Sequence, residues 1–103
     1  MILYNVTVSV DNTVHEEWLQ WMQKTHIPEV MATGLFARYQ ICKLMDEIAN
    51  GGTTYAIQYF ANSLEDLQIY QLQFAPALQA ESARRYSDKA LAFRTVMEII
   101  DPE

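Results

Sequence analysis

The chain has little from which to build a metal centre or a reactive cysteine site. Its 103 residues include one cysteine, Cys42, two histidines, His15 and His26, three glycines and three prolines. A lone cysteine excludes an internal disulfide and a thiolate-rich metal site. A reducing cytosol is its simplest compartment, so a cytoplasmic location is expected. His15 and His26 stand eleven residues apart, about three helical turns, so they cannot grip one ion from a straight helix. No HExxH, CxxC or dense carboxylate cluster accompanies them, and neither a metal nor a cofactor is expected. Glycine-rich phosphate loops and the GxSxG nucleophile turn are missing too. Positive charge is scarce, with seven Lys and Arg against thirteen Asp and Glu and a net charge of −6. That argues against nucleic acid, whose affinity comes from clustered cations, and against an anionic membrane surface. No apolar run approaches the ~18 residues of a membrane span. Asn5, Thr7, Ser9 and Asp11 interrupt the N-terminal segment, which does not read as a targeting signal.

What is present is a well-patterned apolar chain. Half the residues are hydrophobic and 19% are charged, a balance that folds, and the length suits one domain spanning residues 1–103. Four segments alternate as strands, roughly 2–10, 36–45, 53–61 and 90–100. One register reads Tyr4, Val6, Val8, Val10; Tyr39, Ile41; Tyr55, Ile57, Tyr59; Phe93, Met97, Ile99. The other carries Asn5, Thr7, Ser9; Arg38, Gln40, Cys42; Thr54, Gln58; Arg94, Glu98. A period of two sends these sets to opposite faces of a sheet.

Two long helical segments separate the strands. The first is expected to start at a Thr13–Glu16 capping box, to carry Val14, Trp18, Trp21, Met22 and Thr25 on its apolar side, and to kink or restart at Ile27-Pro28. Gly34 closes it as the residue beyond the C-cap. The second starts at Ser63 with Asp66 and runs to about Tyr86, with a kink near Phe74-Ala75 ahead of Pro76. Its three-four spacing marks Leu64, Leu67, Gln71, Phe74 and Leu78. Asn50-Gly51-Gly52 suits the turn between strands two and three. The order strand, helix, strand, strand, helix, strand has few right-handed solutions with short connections. The expected fold is α+β, a ferredoxin-like βαββαβ domain with an antiparallel four-stranded sheet in the order 4-1-3-2.

Two helices cover one face of such a sheet. The second face is expected to carry Arg38, Gln58, Arg94 and Glu98 among Leu44, Ala56, Phe60, Val96 and Ile100. That mixture is too apolar to leave in water and too polar for plain core. It points to a homodimer joined sheet to sheet. Arg94 and Glu98 lie ~13 Å apart along one strand and meet partners only across such an interface.

His26 has two readings. Its ring titrates near neutrality and can serve as an acid, a base or a hydrogen-bond donor. Alternatively it bonds a backbone carbonyl freed at the proline kink, and this structural role is the leading expectation. Tyr4, Trp18, Trp21, Tyr39, Tyr55 and Tyr59 form an aromatic layer that either lines a pocket for a flat organic molecule or is core. Cys42 reads as a small buried hydrophobe.

The string Trp21-Met22…His26-Ile27-Pro28…Thr33-Gly34-Leu35-Phe36, with Tyr55-Ala56-Ile57-Gln58-Tyr59 and Phe93-Arg94-Thr95, resembles a bacterial family of about this length, a domain of unknown function. Its fold is similar to that of the dimeric α+β barrels, which include cofactor-independent monooxygenases, haem-degrading enzymes, isomerase-like domains and small ligand-binding modules. Fold does not imply function. Asn5, Trp21, His26, Pro28, Thr33, Gly34, Gln58, Tyr59, Arg94 and Thr95 match the family's motifs. These readings lead to a homodimer that binds a small organic ligand through Asn5, Trp18, His26, Gln58, Tyr59 and Arg94. The alternatives are an oxygenase- or isomerase-like enzyme with His26 as the candidate catalytic residue, and a purely structural dimer.

Overall fold

The computed structural model describes residues 1–45 and 51–102. The expected turn residue Asn50 and the connection it belongs to lie outside the described residues, although Gly51 adopts φ +83° as a turn glycine should. Strands β1 (Ile2–Asp11), β2 (Arg38–Lys43), β3 (Gly52–Ala61) and β4 (Ala90–Glu98) form one sheet in the order β2-β3-β1-β4. Every neighbouring pair is antiparallel. This is the ferredoxin-like arrangement, with the expected 4-1-3-2 order read from the other edge.

Helices α1 (His15–Trp21), α2 (Ile27–Ala32), α3 (Leu64–Gln73) and α4 (Ala75–Tyr86) connect the strands. Ser63 caps α3 as its sequence suggests, its hydroxyl accepting the Asp66 N–H at 3.1 Å. The break before Pro76 falls at Phe74, between α3 and α4. Gly34, at φ +76°, sits beyond the C-cap of α2 and donates its N–H to the Met31 carbonyl. The Thr13 capping box does not form. The Thr13 hydroxyl and N–H both donate to Asp11 Oδ1 at 2.7 and 2.8 Å, a local turn that competes with the cap, and α1 starts two residues later without a side-chain cap.

Of the expected kink or restart at Ile27-Pro28 the structure has the restart, since α2 begins at Ile27; Thr25, expected on the apolar side, is exposed in the turn before it. Residues Met22–His26 wind as a π-helix that joins α1 to α2, and the Ile27 N–H reaches back to the Met22 carbonyl. Pro28 has no N–H to continue the α-helical ladder. The wider turn just before it absorbs the ring without breaking the rod.

The core lies between helices and sheet. Tyr4, Val8, Val10, Tyr55, Ile57 and Tyr59 from the strands meet Trp18, Trp21, Met22, Ile27, Val30, Leu67 and Tyr70 from the helices, all buried. Phe36 was expected at the start of the second strand but precedes β2 and plugs this core. Its ring lies 5.1 Å from Tyr59 and meets Tyr70 edge-on at 4.9 Å. Such pairs add about 0.5–1.5 kcal/mol beyond burial.

Strand β4 departs from the sequence reading. Val6 pairs with Arg94, Tyr4 with Val96 and Ile2 with Glu98. Arg94, Val96 and Glu98 therefore share the helix-side face, while Leu91, Phe93, Thr95 and Met97 share the open face with Leu3, Asn5, Thr7 and Ser9. The expected open-face network loses Arg94 and Glu98. It consists instead of an amide ladder across three strands. Gln40 Nε2 donates to Gln58 Oε1 at 2.6 Å, Gln58 Nε2 to Asn5 Oδ1 at 3.2 Å, and Asn5 Nδ2 to Thr7 Oγ1 at 3.0 Å. Beside it the Arg38 guanidinium covers the Phe60 ring at 3.6 Å. Cys42, expected to be buried, is exposed on this face because β2 is an edge strand.

Candidate functional site

The widest turn of the first helical rod and the outer edge of the sheet leave a crevice between them. Met22 and His26 come from the π turn, Gln79 and Ser82 from α4, Tyr4, Val6 and Val8 from β1, and Arg94 from β4. The free space has two adjoining parts of about 30 and 50 Å³, room for a few waters. Val6, Met22, His26, Gln79 and Arg94 line both parts. The first part is closed by Tyr4, Tyr59 and Tyr70, and the second by Trp18, Ala90 and Ala92.

His26 is half-buried, and its ring lies 5.1 Å from that of Trp21. Among the described residues its side chain makes no hydrogen bond, so the expected bond to a freed carbonyl is not its partner here. Burial pushes its pKa down to about 4, and the positive charge of Arg94 pushes the same way. The imidazole is therefore neutral at pH 7, with one nitrogen able to donate and the other to accept. Burial raises the pKa of the Tyr4 hydroxyl, an effect partly offset by the charge of Arg94 and by hydrogen bonds from Arg94 and Gln79. Burial likewise raises the hydroxyls of Tyr59 and Tyr70, which stay protonated at any ordinary pH. The result is a small polar cluster of three phenols, a neutral imidazole and a guanidinium against an apolar wall.

Of the residues singled out from the sequence, His26, Tyr59, Arg94 and Trp18 gather around this crevice. Asn5 and Gln58 do not. They lie in the amide ladder on the opposite face of the sheet. Tyr4 was read only as part of the aromatic layer, and Met22 only as core. Tyr70 and Gln79 were missed. Tyr70 lies three residues after Leu67, a helical spacing that was readable. Nothing in the sequence marks Gln79. Among the described residues no three His, Cys, Asp or Glu side chains cluster as a metal site.

The match that decides the family spans nearly the whole chain. The sequence model of the domain of unknown function DUF4286 matches residues 1–100. The chain belongs to the DUF4286 family. No curated protein sequence matches it. Among solved structures, this DUF4286 chain is similar to an EthD-family protein from Bacillus halodurans, at TM-score 0.68 and 12% identity over 97% of this chain and 100% of that one. It is also similar to a Deinococcus radiodurans protein assigned to antibiotic biosynthesis monooxygenases, at TM-score 0.69 and 14% identity over 100% and 96%. A dimeric ferredoxin-like protein from an uncultured marine organism gives TM-score 0.69 and 13% identity over 100% and 98%. Identities this low establish the shared fold of the DUF4286 domain and nothing about its chemistry.

Proposed function

We propose that this DUF4286 protein is a homodimer that binds a small organic ligand in the crevice around His26. One observation carries the reading: groups from β1, β3, β4, the π turn, α3 and α4 converge there on free space, and a hydrogen-bonding imidazole faces it without a protein partner. Ligand sites are typically apolar hollows with a few placed polar groups. A π turn at such a place fits the frequent location of these turns at functional sites.

The dimer reading rests on the open face. Leu91 and Phe93 are 62% and 65% exposed there, Met97 is exposed on the same strand, and Leu44 is exposed at the opposite edge of the sheet. Large apolar side chains exposed on one sheet face among hydrogen-bonding groups fit an interaction surface, and a protein of the same fold is described as dimeric. The exposed Cys42 sits on that face and is best kept reduced in a cytoplasmic setting.

A second reading is favoured by the neutral state of His26. An imidazole free of its proton at pH 7 can take one from a bound substrate, with Arg94 stabilising the negative charge that develops. That would make the protein an enzyme of the cofactor-independent oxygenase or isomerase kind. Asn5, the other candidate for stabilising charge, lies across the sheet and has no part in it. The test is an NMR titration with a library of small organic fragments. Saturable shifts at the His26 ring, lost in His26→Phe while the fold persists, support the ligand reading. Shifts that map elsewhere, or survive in the variant unchanged, refute it.

A further inference from the structure

The crevice holds a fixed positive charge and no negative one. Arg94 lines both of its parts, and no Asp or Glu lines either. Among the described residues no carboxylate pairs with Arg94; the ion pair between Arg84 and Glu81 on α4 does not involve it. Its neighbours in the crevice are neutral at pH 7. They are His26 from the π turn, Tyr4 from β1, Tyr59 from β3, Tyr70 from α3, and Gln79 and Ser82 from α4. A cation facing several neutral donors is an incomplete charge-assisted set, and an anion completes it.

Building on the ligand reading above, we propose that the ligand is a small organic monoanion with a carboxylate-type head. The head sits where the two parts of the crevice meet, between Arg94, the Tyr4 hydroxyl and His26. The apolar body lies in the part lined by Val8, Trp18 and Ala92. One guanidinium balances one negative charge. A phosphate would bring nearly two, and neither a second cation nor a glycine-rich loop is present to meet the excess. The free space of about 30 and 50 Å³ is well below the ~150 Å³ that takes a benzene ring, so the body is a short aliphatic chain.

The experiment uses the intact protein and three probes, namely propanoate, its uncharged counterpart propanamide, and inorganic phosphate. Binding is read from the His26 ring and Trp18 indole signals. Propanoate should bind saturably and at least tenfold more tightly than propanamide. Arg94→Gln should lower propanoate affinity at least tenfold and change that of propanamide far less, and Arg94→Lys, which keeps the charge, should recover part of the loss. Because Arg94 is exposed on an edge strand, circular dichroism of each variant should match the parent, which separates lost charge from lost fold. Propanamide binding as tightly as propanoate, or Arg94→Gln without effect, overturns the anion assignment and leaves the ligand reading standing. Phosphate competing with propanoate at equal affinity overturns the organic monoanion in favour of an inorganic one. If neither organic probe perturbs His26 or Trp18, both readings fail together.

Discussion

Acidification offers a direct check on the environment of His26. An unfolded histidine titrates near 6.5 and the folded one at about 4. Between those values the unfolded chain binds more protons than the native one, so native stability rises with pH across this window. Equivalently, stability is complete above about pH 6.5 and drains away as the pH falls toward 4. Each pKa unit corresponds to about 1.4 kcal/mol, so the full loss is ~3 kcal/mol, of which ~2 kcal/mol has gone by pH 5. For a domain of this length that is a drop of roughly 10 °C in melting temperature. Asp11 does not confuse the window. Its carboxyl, held below the usual carboxylate range mainly by hydrogen bonds from Thr13, titrates lower still. Thermal unfolding by circular dichroism, from pH 7.5 to 4.5 at one fixed protein concentration, measures the effect for the parent and for His26→Gln. A fixed concentration matters because dimerisation shifts apparent stability. The difference between the two curves isolates the imidazole. It should be flat above pH 6.5 and widen steadily below. A parent curve that stays flat from pH 7 to 5, or a slope that persists in His26→Gln, would show that the ring is solvated and the crevice reading wrong.

The open face gives a second expectation: Phe93→Glu should raise the dissociation constant of the dimer at least tenfold, because an unpaired buried charge costs several kcal/mol, whereas Val96→Glu, on the helix side beside Tyr4, should not. Sedimentation at micromolar concentration reads both, and a parent protein that stays monomeric at high concentration refutes the dimer. Trp18, 1% exposed at the centre of the core, should cost ~3–5 kcal/mol when replaced by alanine, measured by urea denaturation; a loss under 1 kcal/mol would mean that the first helix does not anchor the core. Ser63→Ala removes the cap on α3 and should cost ~1 kcal/mol. An unchanged denaturation midpoint would show that the bond to the Asp66 N–H contributes nothing net.

Much of this protein was written in local pattern. Alternation in β1 and β3 named the inward tyrosines and valines correctly, since a central strand has one fixed dry side. The serine cap at Ser63, the proline break at Phe74 and the positive φ of Gly34 each follow from the chemistry of one or two residues. Local chemistry also misled where two local partners competed. Thr13 had both Asp11 and the helix start to bond with, and the nearer turn won. Pro28 announced a kink or a restart, and the helix restarts at Ile27; the π turn over Met22–His26 that precedes it had no mark in the sequence.

The candidate site was only half legible, and the reason lies in β4. Its two alternating sets, Ala92-Arg94-Val96 and Phe93-Thr95-Met97, each mix apolar and polar residues, so period two separates them without saying which set faces the helices. An edge strand that helices cover poorly tolerates polar groups on both sides and exerts little selection on pattern. The pairing of Val6 with Arg94 settles it. That single register turns Arg94 from an interface residue into the charged wall of a crevice, and leaves Phe93 facing outward. Length, charge, element order and the inward face of the central strands were determined by the sequence alone, because each depends on residues near one another in the chain. Bringing His26, Tyr4, Tyr70, Gln79 and Arg94 to one hollow, and sending Asn5 and Gln58 to the other side, was decided only by tertiary structure, because it depends on how distant strands and helices dock.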